Sequence, residues 1–308
     1  MKLQNRSRIC LCISAGIMAL ALILSIFGLG INFGIDFAGG LTVQYDMGAT
    51  FEQSDIQDAL RAQGIEEFTV STAGADGHSL QVRIAELAGD DEIQNFQSEF
   101  EAALLEKYPT MNTDTATVGY VGPIAGAALV KNALISVLLA SALMLVYIAF
   151  RFNFNFGVAA VIGLLHDVLI MVSFMVLLRN MIQMNSSFIA AMLTIVGYSI
   201  NNTIVIFDRI RENNKKPAYA GKPRDEVVTI SVRESLGRTI NTTLTTLVTI
   251  VTLYVLGVDS IREFSLPIII GILSGVYSAN LINGYVWAFL EEKGIARKGN
   301  KKLNTKKA

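Results

Sequence analysis

Residues 156–178 read FGVAAVIGLLHDVLIMVSFMVLL, an apolar run interrupted near its middle by His166-Asp167. At a rise of ~1.5 Å per residue such a run meets the ~20 residues that a helix needs to cross the hydrocarbon of a bilayer. Five further segments qualify or nearly qualify: about 9–30, 132–150, 184–207, 239–257 and 265–290. Composition agrees. The chain is 52% hydrophobic and 17% charged, against roughly 25% charge in soluble domains, and its mean hydropathy is +0.48. The expected fold class is an α-helical membrane protein of six transmembrane helices.

Lys2, Arg6 and Arg8 precede the first run, as in a signal peptide. A signal peptide has only ~7–15 apolar residues and a small-residue cleavage site. This run is longer and ends in Phe27-Gly28-Leu29-Gly30, so it reads as an uncleaved anchor. Lys and Arg collect on the cytoplasmic side of membrane proteins. They cluster at the N-terminus, in the loop 208–237 (Arg209, Arg211, Lys215, Lys216, Lys222, Arg224, Arg233) and in the tail 291–308. Six alternating spans put all three on one side. The segment 31–127 has only Arg61, Arg83 and Lys107 among many Asp and Glu and falls on the other side. The layout is therefore 1–30 cytoplasmic N-terminus and first span, 31–127 acidic extracytoplasmic domain, 128–290 spans two to six, and 291–308 basic tail, with both termini cytoplasmic. The tail fits a topological role and attraction to anionic lipid.

Within the outer segment, Leu41–Met47, Phe68–Thr72, Ser79–Leu87 and Ala116–Val121 read as strands. Phe51–Gly64 and Asp91–Tyr108 read as helices, the second with Ile93, Phe96, Phe100 and Leu104 on one face. The order strand-helix-strand-strand-helix-strand predicts a small α+β ferredoxin-like domain between the first and second spans.

Ionisable groups inside a bilayer are costly and mark functional candidates. His166 and Asp167 sit mid-span, and Arg238 begins the fifth span. From Arg238 a polar stripe runs through Thr242, Thr245, Thr246, Thr249 and Thr252 at three- and four-residue steps, one helical face. Such a stripe is expected to face other helices or a hydrated path. Tyr198 and Asn202 share a face of the fourth span, and a buried amide without partners costs a few kcal/mol. The sixth span carries Gly271, Ser274, Gly275, Ser278, Ala279 and Asn283, small residues suited to close helix packing. Cys10 and Cys12, the two cysteines, lie in the first run and read as small hydrophobes. No metal-ligand spacing, nucleophile–base arrangement or phosphate-binding glycine loop occurs, so neither enzyme, cofactor nor metal site is expected. A net charge of -1 points to no nucleic-acid partner.

These residues also carry a family likeness. Gly34-Ile35-Asp36-Phe37-Ala38-Gly39-Gly40 after the first span, His166-Asp167-Val168, the block from Gly197 to Glu212 and Arg238-Thr239-Ile240-Asn241-Thr242 together resemble the SecF family of the RND superfamily. The glycines permit backbone angles that other residues avoid, so Gly39 and Gly40 suit a turn from span to strand. The resemblance implies a protein-export subunit that works with SecD beside the SecYEG channel, with SecA and YajC, on translocating polypeptides in the bacterial cytoplasmic membrane. It also implies coupling to the proton or sodium gradient. A small-molecule or lipid exporter of the wider superfamily is the rival reading, but such proteins carry larger outer domains and two six-span halves in one chain.

Where the family often has an Asp in the fourth-span block, this chain has Asn202, which cannot titrate. Three alternatives follow: the carrier is an acid of SecD; Asp167 serves, helped by His166 and Arg238; or Asn202 offers its amide oxygen to sodium, far short of a hard cation's oxygen shell. A fourth option makes the chain a scaffold for SecD without a carrier of its own. An Asn202→Asp variant, reconstituted with SecD, is expected to assemble normally and to raise gradient-dependent translocation or alter its ion preference. Unchanged ion dependence counts against a coupling role at this position.

Overall fold

The computed structural model describes residues 3–66, 68–73, 77–84, 89–180, 182–257 and 259–293. The tail expected at 291–308 lies outside the described residues beyond Lys293, as do Lys2 and residues 85–87 of the third predicted strand.

Six helices are long and apolar enough to cross a membrane. They are α1 (Leu3–Ile26), α5 (Pro123–Arg151), α6 (Phe154–Leu177), α7 (Ser186–Asn213), α8 (Arg224–Leu256) and α9 (Asp259–Ser278). The last continues through a π turn, Ala279–Asn283, to Lys293. Local chemistry sets their starts. Pro123 opens α5, where its missing N–H costs nothing. Asn153 and Asn185 cap α6 and α7 by accepting from the amides of Phe156 (3.1 Å) and Phe188 (3.2 Å). α8 follows Pro223 with Asp225 and Glu226 in its first turn, where the helix dipole favours them.

At the expected loop 208–237, the helices on both sides run past the predicted spans. α7 extends to Asn213 and α8 begins at Arg224, so most of the expected loop 208–237 is helical. Charges that read as loop pair on the surface of α7, Arg211–Asp208 at 2.7 Å and Arg209–Glu212 at 2.8 Å, and Lys216 just past its end reaches back to Glu212 at 3.0 Å. Arg209 also reaches Glu234 of α8 at 2.9 Å, and Asn213 donates to Ser231 (3.0 Å) and Glu234 (2.7 Å). The two helices are thus tied together beyond their apolar parts.

Between α1 and α5 lies a small domain of four strands and two helices. Its elements are β1 (Gly40–Asp46), α3 (Gln53–Ala62), β2 (Phe68–Ala73), β3 (Ser79–Ile84), α4 (Asp90–Lys107) and β4 (Asn112–Val121), preceded by the one-turn helix α2 (Ile35–Ala38). The sheet order is β2-β3-β1-β4 with every neighbouring pair antiparallel. Register places Leu41 opposite Ile84, Val43 opposite Val82 and Tyr45 opposite Leu80. These side chains all point to one face, since strands alternate with period two. They are buried with Ile56 and Leu60 of α3 and with Ile93, Phe96, Phe100 and Leu104 of α4. Tyr45 donates to Glu101 at 3.1 Å, and burial together with that carboxylate pushes its phenol above the usual range.

Arg83 lies on the opposite face of the sheet and fastens it to the bundle. Its guanidinium donates to Asn32 Oδ1 (3.3 Å) and to the Phe33 carbonyl. Asn32 in turn donates to the Arg179 carbonyl at 3.2 Å. Burial lowers the pKa of the Arg83 guanidinium, and Glu263 at the start of α9 opposes that shift.

Candidate functional site

Asp167 is fully buried within α6. Its two oxygens accept four hydrogen bonds. Oδ1 accepts from Ser274 of α9 (2.7 Å) and meets His166 Nδ1 (3.0 Å), and Oδ2 accepts from Ser199 of α7 (2.5 Å) and Ser278 of α9 (2.8 Å). Hydrogen bonds to a charged group are worth about 1.5–3 kcal/mol each. His166 points its other ring nitrogen away from Asp167. Nε2 meets Ser14 Oγ of α1 at 2.9 Å and Tyr277 Oη of α9 at 2.6 Å, and those two hydroxyls also touch one another. One acid and one imidazole therefore join four helices.

The glycines expected to allow close packing do so. A Cβ on Gly275 would stand 3.2 Å from Ser199 Cβ, and one on Gly271 would overlap Ile195. This proximity of α7 and α9 lets Ser199, Ser274 and Ser278 converge on Asp167. A side chain on Gly163 would collide with Asn283, which packs there and donates to Thr203 Oγ1 at 2.8 Å.

Asn202 is buried one turn below Ser199 and donates to Thr243 Oγ1 of α8 at 3.3 Å. Tyr198 donates to the Thr242 carbonyl at 3.2 Å. The face of α8 turned inward is Ser231, Ser235, Thr239 and Thr243, all buried. Thr239 donates to Asn280 in the π turn at 3.3 Å. The predicted stripe lies on the other side. Arg238, Thr242, Thr245, Thr249 and Thr252 are exposed on the bundle surface, and their threonine hydroxyls bond to carbonyls of their own helix at 2.8–3.2 Å. Among the described residues no ion pair joins Arg238 to Asp167. His166 and Asp167 come together with Ser199, while Asn202 and Tyr198 lead to α8 and Arg238 faces out. Sequence reasoning missed Ser14 and Tyr277. The i, i+4 spacing of Ser274 and Ser278 flanking Tyr277 was the available signal.

The glycine-rich segment lies at the end of the bundle that carries the small domain. Gly34 N–H donates to the Met184 carbonyl and Met184 N–H to the Asn32 carbonyl, both at 2.8 Å, forming a parallel bridge with the chain entering α7. Asp36 Oδ2 accepts from the first amide of α7, Ser186, at 2.7 Å, where the helix dipole favours an anion. A Cβ on Gly126 of α5 would lie 2.9 Å from the Phe37 carbonyl, so α2 rests directly on α5. Gly39 and Gly40 have φ of 78° and 111°, angles that L side chains avoid, and there the chain turns into β1.

Residues 101–293 match the family described as protein export membrane protein SecD/SecF, C-terminal, and residues 24–49 match the SecD/SecF GG motif. A protein translocase subunit SecF of Rickettsia bellii is 34% identical over 262 residues, covering 85% of this chain and 84% of its own. The chain belongs to the SecF family. A SecF subunit of Alicyclobacillus acidocaldarius is 35% identical over 293 residues, 93% of this chain and 91% of its own. The crystal structure of SecDF from Thermus thermophilus, described as a translocon-associated membrane protein, matches 95% of this chain with a TM-score of 0.81 and 32% identity. SecDF in a super-membrane-facing form matches 98% with a TM-score of 0.66 and 30% identity. This chain spans 39% and 40% of those two SecDF chains. As a SecF-family chain with six apolar helices, it is a multi-pass membrane protein.

The SecF motif segment yields a local prediction. Asp36→Ala removes the acceptor of the Ser186 amide, while Asn185 still caps α7. A lost cap costs about 0.5–2 kcal/mol, so hydrogen exchange over the first turn of α7 is expected to quicken by about 2- to 30-fold. Unchanged exchange there contradicts the capping role.

Proposed function

We propose that this chain is the SecF part of a SecD–SecF unit that assists protein export across the bacterial cytoplasmic membrane, drawing on the proton gradient. SecD is its direct partner, and the SecYEG channel, SecA, YajC and translocating polypeptides are the wider assembly. Both termini face the cytoplasm and the domain of 31–127 faces outward. That domain is ferredoxin-like: the chain order βαββαβ and the sheet order β2-β3-β1-β4 support the assignment.

Full burial of Asp167 carries the gradient reading. Among the described residues it is the one buried acid, and its donors come from α6, α7 and α9. Protonation removes the charge that those donors hold. Losing the equivalent of one charge-assisted bond, about 1.5 kcal/mol, shifts a two-state packing equilibrium about tenfold. Asp167 with His166 is thus the proton-responsive group of this chain, and Arg238 and Thr242 belong to a different surface. Hydroxyls and a guanidinium facing lipid are costly, and the exposed face of α8 is the surface that a SecD helix covers.

Asn202 favours a second reading, in which the chain braces SecD and holds no carrier. The two readings separate on Asp167→Asn in a complex reconstituted with SecD into vesicles. Gradient stimulation of translocation is expected to fall about tenfold with assembly intact. Stimulation that survives Asp167→Asn and vanishes when an intramembrane acid of SecD is removed supports the scaffold instead.

A further inference from the structure

The apolar spans of α5 and α6, Gly126–Arg151 and Phe154–Leu177, are separated only by Phe152 and Asn153. A turn this short between two crossing helices lies at the level of the lipid headgroups. α5 leaves the small domain after β4 and ends at this turn, so the turn is at the other end of the bundle. It gathers cations around one ring. The Arg151 guanidinium stands 5.3 Å from the centre of Phe152, and the Arg211 guanidinium of α7 stands 5.0 Å from the same centre. Attraction between a cation and an aromatic face favours both contacts. The ring itself is braced: Phe156 packs on it at 5.7 Å and stacks on Trp287 of the last helix at 4.7 Å, with 7° between the planes. Arg211 Nη1 also donates to the Arg151 carbonyl at 3.3 Å.

Two like charges on one ring call for two counter-charges, and the chain supplies one. Asp208 pairs with Arg211 at 2.7 Å. Glu212 is taken up by Arg209 and Lys216. Glu291 reaches the first turn of α6, where it accepts from Asn155. Among the described residues Arg151 pairs with no carboxylate. One positive charge is therefore left over, on a planar fork of donors that matches a phosphate group. Phe150 and Phe154, on either side of it in the chain, are 88% and 67% exposed. Exposed rings in water would be a cost, but at a membrane surface they rest against glycerol and acyl chains.

We propose that the turn between α5 and α6 binds one anionic phospholipid, its phosphodiester on Arg151 and Arg211 and its glycerol and acyl chains against Phe150 and Phe154. One phosphodiester carries the single negative charge that the cluster lacks. A headgroup with its own quaternary ammonium, as in phosphatidylcholine, brings a further cation against two guanidiniums and binds less well. The lipid sits where the ends of α5, α6 and α7 meet and fastens them together. The assignment is independent of any proton exchange at Asp167.

The test titrates the full chain, in complex with SecD in detergent, with phosphatidylglycerol or phosphatidylcholine and counts bound lipids by native mass spectrometry. The expected result is one phosphatidylglycerol held about tenfold more tightly than phosphatidylcholine. Arg151→Gln is expected to abolish that preference, and Arg151→Lys, which keeps the charge without the planar fork, to retain part of it. Arg233→Gln removes an exposed charge from α8 near the same end of the bundle and is expected to bind like the parent. Inorganic phosphate in millimolar excess is expected to leave the lipid bound, since it lacks the acyl contacts. Equal retention of the two lipids, an Arg151→Gln variant that binds like the parent, or an equal loss in Arg233→Gln overturns the site. Displacement by inorganic phosphate assigns the cations to a free anion, and release of SecD from Arg151→Gln assigns this face to SecD; either overturns the lipid assignment.

Discussion

A carboxylate taken out of water must recover from protein donors what it loses in hydration, and the bundle is arranged around that requirement at Asp167. Three serine hydroxyls and one imidazole fill its acceptor positions. They reach it only because Gly271 and Gly275 let α7 and α9 approach closely. Small residues at that interface and the hydroxyls beside them are one device: the first removes bulk, the second uses the space for polar contacts. Without the donors, the acid would be an unpaired charge in hydrocarbon, at a cost of several kcal/mol.

The small domain depends on the same bundle through three attachments. Arg83 holds the open face of the sheet to residues 32 and 33, and Asp36 caps α7. α2 packs on Gly126. The second meets α7 directly, the first reaches its leading segment through the Phe33–Met184 bridge, and α7 also carries Ser199. One of the helices that donate to the buried acid is therefore the helix whose N-terminal end is pinned by the SecF motif segment, giving a short mechanical route between Asp167 and the domain.

Much of this was readable in the chain itself. Long, mostly apolar runs located all six spans, because a bilayer leaves few alternatives to a helix. Their ends were less legible: the charges after residue 207 look like loop, and only i, i+3 and i, i+4 pairing reveals helix there. β4 starts at Asn112, four residues before the predicted Ala116, because the polar run Asn112–Thr115 on an edge strand shows no buried alternation. His166 and Asp167 announced themselves as ionisable residues in an apolar run. Their serine partners did not, since a serine in a helix ordinarily bonds to its own backbone. The threonine stripe of α8 was correctly grouped as one face, but spacing cannot say which way a face points. The inward face is Ser231, Ser235, Thr239 and Thr243. The Asp36–Ser186 contact spans 150 residues of chain, and no local pattern encodes it.

Proton exchange at the buried pair Asp167–His166, proposed above, is the step on which gradient coupling in this chain rests. Infrared difference spectroscopy of the SecD-bound chain across a pH titration reads this directly, with Asp167→Asn as the reference. The account predicts a titrating carboxyl or imidazole signal that disappears in the variant. A difference spectrum identical in parent and variant would contradict it.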